Sequence, residues 1–63
     1  MELQELKEMY KKSKEIYVSQ DKNISSTLKY LMWDKMQNII VVYSMKQNIT
    51  RFEAEKQLEE FSK

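Results

Sequence analysis

Asn23-Ile24-Ser25 and Asn48-Ile49-Thr50 decide how this sequence is read, because they are the only punctuation in 63 residues that include no glycine and no proline. Each triplet reads as a seam between two helices. The first residue past a helix often takes positive φ, which asparagine tolerates best after glycine, so Asn23 and Asn48 fit left-handed positions at helix C-termini. The isoleucine then staples the turn, and the hydroxyl of Ser25 or Thr50 accepts a backbone N–H at the start of the next helix. Working outward from these seams, the chain is expected to be all-α, with helices over about 3–21, 25–47 and 51–62 in one domain, 1–63. Short connections make sequential helices antiparallel, an up-down-up arrangement.

The first helix carries Leu3, Leu6, Met9, Tyr10, Ile16 and Tyr17 at spacings of three and four, one apolar stripe. Ser13 lies within it and would let another helix approach closely. The central helix is different, since its apolar side chains cover roughly 200° of arc, about twice an ordinary surface stripe. One face holds Ile24, Leu28, Leu31, Met32, Ile39 and Val42; the adjoining one holds Trp33, Met36, Ile40 and Tyr43. Tyr30, Val41 and Met45 fall outside even this arc. The run Ile39-Ile40-Val41-Val42-Tyr43 is β-prone, but no turn residue separates it from Trp33-Asp34-Lys35 and no partner strand is on offer, so a helix is expected there.

The third helix has the clearest local start: Thr50 and Glu53 have capping-box spacing, with Ile49 ahead of the cap and a stripe of Ala54, Leu58 and Phe61 behind it. Phe52 projects away from that stripe. The phrase Asn48-Ile49-Thr50-Arg51-Phe52-Glu53-Ala54 resembles the Gly-Ile-Thr-x-x-Glu turn of short helical hairpins in bacterial and phage proteins. The resemblance covers about a dozen residues and names no family.

A chain this short buries only about 60% of the surface it exposes when unfolded. Small domains commonly add disulfides, a metal or a partner, and with no cysteine and no histidine present a partner subunit is the expected device. The wide arc of the central helix therefore predicts a homodimer formed through that helix. Eleven basic against ten acidic residues give a net charge of +1, with no whole-molecule field to steer the chain onto nucleic acid or an anionic membrane. Met1-Glu2-Leu3-Gln4-Glu5 lacks the features of a secretory signal, and the longest apolar run, Ile39 to Tyr43, is too short to span a bilayer, so a cytoplasmic location is expected. Both seam triplets match the glycosylation acceptor pattern, which carries no weight without secretion. Richness in Lys, Ile, Asn and Tyr is compatible with an AT-rich genome, such as a low-GC bacterium or its phage.

Catalysis has little to work with. Without histidine, cysteine or glycine there is no triad, no thiolate and no phosphate-cradling loop, and neither an enzyme nor a cofactor is expected. Lys7, Lys11 and Lys14 share a helical face that could track phosphates, though Glu8 and Glu15 interrupt it, and the third helix is net negative, a poor recognition helix. An interfacial membrane helix would need a strongly charged polar side, where the central helix has Gln37, Asn38, Ser44 and Thr27. What remains is Trp33, Met36, Ile40 and Tyr43, either core or a binding surface rich in residue types that anchor interfaces. The third helix is too short to cover this whole face, so an interface is expected toward Trp33, with Phe52 as a further contact. The sequence thus predicts a small protein-binding regulator or inhibitor, homodimeric, of the size of phage or mobile-element inhibitors and antirepressors. The alternative is a dimeric DNA- or RNA-binding regulator using the Lys7, Lys11 and Lys14 face.

Overall fold

The computed structural model describes residues 2–63, which form three helices: α1 (Leu3–Tyr17), α2 (Ser26–Gln47) and α3 (Arg51–Phe61). No strand occurs among the described residues, and the β-prone run Ile39–Tyr43 lies inside α2. With 22 residues, α2 is about 33 Å long at about 1.5 Å per residue. It therefore runs most of the 38 Å long axis of the molecule. Both other helices pack on it, α1 most extensively, in keeping with an up-down-up arrangement.

The second seam forms as its residues dictate. Asn48 takes φ 55° and ψ 46°, the N–H of Ile49 donates to the Ser44 carbonyl and that of Asn48 to Met45, which together make a Schellman turn. Thr50 Oγ1 then accepts the Glu53 N–H at 3.1 Å, opening α3 with a side-chain cap, and Ile49 packs against the core.

The first seam differs from expectation. Ser25 does cap α2, accepting the Leu28 N–H at 3.1 Å, but α1 ends at Tyr17 rather than near 21, and Asn23 is not left-handed, since Asn48 is the one positive-φ residue described. Two local causes stop α1 early. No apolar side chain follows Val18 until Ile24, so a further turn would bury nothing. The polar side chains there also capture backbone donors: Asp21 N–H donates to Ser19 Oγ, and Asn23 N–H donates to Asp21 Oδ1 at 2.9 Å. An irregular connection over 18–25 replaces the last turn of the expected helix.

The core is Leu6 and Tyr10 from α1, Met36, Ile39, Ile40 and Tyr43 from α2, and Ala54 and Leu58 from α3. Each helix also buries one small residue, Ser13, Ser44 or Ala54, which lets backbones come close. The polar tip of Tyr43 is satisfied: its hydroxyl donates to Gln57 Oε1 at 3.0 Å and accepts from Gln47 Nε2 at 3.4 Å. No buried side-chain nitrogen or oxygen among the described residues lacks a partner.

Candidate functional site

The face formed by Trp33, Met36, Ile40 and Tyr43 is divided by the length of α3. Eleven residues reach only about 16 Å along α2. Beneath α1 and α3, Met36, Ile40 and Tyr43 are buried, so within one chain they pack as core, one of the two readings open to this face. Trp33 stays 41% exposed.

Trp33 does not stand alone. Tyr30, one turn earlier, is 64% exposed and stacks on the indole, with ring centroids 6.2 Å apart and planes at 28°. Offset stacking of this kind is worth about 0.5–1.5 kcal/mol beyond buried area, so it holds two solvent-facing rings in one orientation. Sequence reasoning missed Tyr30 because it lies outside the apolar arc. The signal that could have found it is the i,i+3 relation of two aromatic residues on one helix. Leu28, Leu31, Tyr17 and Val18 are also exposed, so six of the nine large hydrophobics exposed among the described residues lie between 17 and 33.

Phe52 is 76% exposed but belongs to a different region. It follows the α2–α3 turn, and the fifteen residues of helix from Trp33 to Asn48 amount to about 22 Å. The two are not parts of one site.

The three lysines proposed for nucleic acid face α3 in part. Lys14 forms an ion pair with Glu59, and the Lys7 ammonium sits 5.6 Å from the centre of the Phe61 ring. These contacts engage two of the three charges with the protein itself. Nearby, Tyr10 is buried, and burial, followed by the charges of Glu59 and Glu55, pushes its hydroxyl well above the ordinary tyrosine value.

A groove of about 360 Å³ opens between α1 and α2, walled by Leu6, Met9, Ile39 and Val42 with Lys35 and Lys46 on its rim. No residue of α3 lines it. Among the described residues no group of carboxylates could hold a metal ion, and no helix is long and apolar enough to cross a membrane. In comparisons with known proteins, no family model matches the chain, and no curated protein or solved structure is significantly similar to it.

Proposed function

We propose that this chain is a small non-enzymatic regulator or inhibitor that acts as a homodimer through α2 and docks onto another protein with its Tyr30–Trp33 surface. The observation that carries the reading is the stacked aromatic pair left open to solvent beyond the reach of α3. A folded chain gains by burying Trp and Tyr where it can, and these two types are enriched among residues that dominate interface energies. Stacking also lowers the entropy lost when a partner covers them. An origin in a phage or mobile element suits the size and composition.

Nucleic-acid binding through Lys7, Lys11 and Lys14 has weaker support, because Lys14 is paired with Glu59 and Lys7 lies over Phe61. The deciding experiment is affinity capture from a bacterial lysate, with and without nuclease, comparing the natural chain with a Tyr30→Ala/Trp33→Ala variant. A protein retained by the former through nuclease treatment and lost from the latter supports the reading. Identical captures by both would remove this surface, and capture that needs nucleic acid would favour the alternative.

A further inference from the structure

The face of α2 that opens at Trp33 continues beneath α3. Trp33, Met36, Ile40 and Tyr43 follow one another at spacings of three and four, over about 15 Å of one side of the helix. Met36, Ile40 and Tyr43 share the core with Ala54 and Leu58, the two side chains of α3 that are fully buried. The other ties of α3 are Glu59 to Lys14, Gln57 to Tyr43 and Phe61 to Lys7, each made by a residue of α3 that is only half-buried. Isolated helices shorter than about 12–15 residues are marginal in water, so α3, with 11, keeps its shape by docking. The pairing of α1 with α2 has contacts of its own, since Leu6 and Met9 meet Ile39 and Val42 where no residue of α3 takes part.

We infer that α3 is a displaceable strap: a helix of the target protein takes its place on α2, joining Met36, Ile40 and Tyr43 to the Tyr30–Trp33 surface as one docking face. This rests on the reading above that Tyr30 and Trp33 meet a target, and adds how that surface is regulated.

The occupant is specified by the helix already seated there. Ala54 and Leu58 are a small residue and a leucine one turn apart, Gln57 Oε1 accepts the Tyr43 hydroxyl proton at 3.0 Å, and Glu59 pairs with Lys14. A target helix carrying a small residue, a leucine four positions on, and an amide and a carboxylate flanking that leucine makes the same contacts. It also makes more. The turn at 48–50 ties α3 to the far end of α2 and leaves Trp33 uncovered, whereas an untethered helix can sit farther toward the start of α2 and cover Trp33 and Tyr30 as well. That added aromatic contact supplies the differential affinity that displacement requires. It has to be large, because a tethered helix competes at an effective concentration on the order of millimolar. Until such a helix arrives, α3 shields three apolar side chains that would otherwise lie open beside the aromatic pair.

The test is native-state hydrogen exchange on the full chain, in denaturant below the unfolding midpoint. The Leu58 amide is expected to exchange at least about tenfold faster than that of Ile40, with a denaturant dependence greater than zero but smaller than that of Ile40, the mark of an opening larger than fraying and smaller than global unfolding. The chain has no cysteine, so Lys14→Cys with Glu59→Cys can be bridged by a short thiol linker without side reactions. Bridging should bring Leu58 to the exchange rate of Ile40. It should also abolish capture of the protein that the natural chain retains from a lysate through nuclease treatment, while the unbridged double variant still captures it. Exchange of Leu58 and Ile40 at one rate with one denaturant dependence, or exchange of Leu58 with none, would overturn the strap. So would equal capture by the bridged chain. If Tyr30→Ala/Trp33→Ala still lost the captured protein in that case, the docking reading would stand without the strap; equal capture by that variant too would remove both.

Discussion

Asn48 holds a left-handed backbone that costs most non-glycine residues roughly 1 kcal/mol, and the Schellman bonds from its own N–H and that of Ile49 are what that conformation provides in return. Asn48→Gly should therefore be neutral or slightly stabilising. Thr50→Ala, which deletes the acceptor for Glu53 N–H, should cost about 1 kcal/mol. Denaturant midpoints read both, and a large loss with Asn48→Gly would mean the residue is not left-handed in solution. Tyr10 sets a pH limit. Its folded-state pKa is raised, so between the ordinary tyrosine value near 10 and that raised value the folded chain holds a proton that the unfolded chain releases. Stability contributed this way is fully present below about pH 10 and falls as pH rises above it, by at most about 1.4 kcal/mol per unit. Tyr10→Phe should flatten the alkaline limb of the pH–stability curve relative to the natural chain, which separates this effect from the titration of lysines common to both.

The helices themselves divide into what neighbouring residues decide and what distant ones decide. The seam at 48–50 was legible because all its determinants lie within six residues: an asparagine that tolerates positive φ, an isoleucine that reaches the core, a threonine cap. Asn23-Ile24-Ser25 has the same letters, yet only its serine behaves alike. Its asparagine is preceded by Ser19 and Asp21, whose side chains take the N–H groups of Asp21 and Asn23, and by no apolar residue that a longer α1 could bury. The wide arc of α2 was legible too, but not which part of it stays open. That depends on how far α3 reaches back along α2, a tertiary quantity, and it puts Met36 and Ile40 in the core while Trp33, on the same face, keeps its exposure. The two connections should respond differently to insertion. Two added residues after Gln20 lengthen an already irregular loop and should cost well under about 1 kcal/mol. The same insertion between Asn48 and Thr50 breaks the Schellman turn and shifts the cap from its staple, and should cost several times more in the same unfolding assay.

At the scale of the whole molecule, stability is small and interaction surface is large, and this contrast yields the most decisive comparison. A domain of 63 residues is expected to hold only about 3–9 kcal/mol in total. Ile40 is 2% exposed at the centre of the core, and Ile40→Ala should remove about 2–5 kcal/mol, a large part of that total. Trp33 is the bulkier side chain, yet it rests against Tyr30 and solvent rather than within the core. Trp33→Ala should therefore leave the far-UV helical signal and the unfolding midpoint nearly intact, while weakening capture of a target protein. The pair must be measured at several protein concentrations, because a chain stabilised by a second copy unfolds at a midpoint that rises with concentration. Ile40→Ala should then be partly rescued at high concentration by mass action, whereas Trp33→Ala should behave as the natural chain does throughout. If Trp33→Ala instead lost its helical signal at every concentration, the indole would be supporting the fold, and the open half of α2 would owe its aromatic residues to packing rather than to a partner.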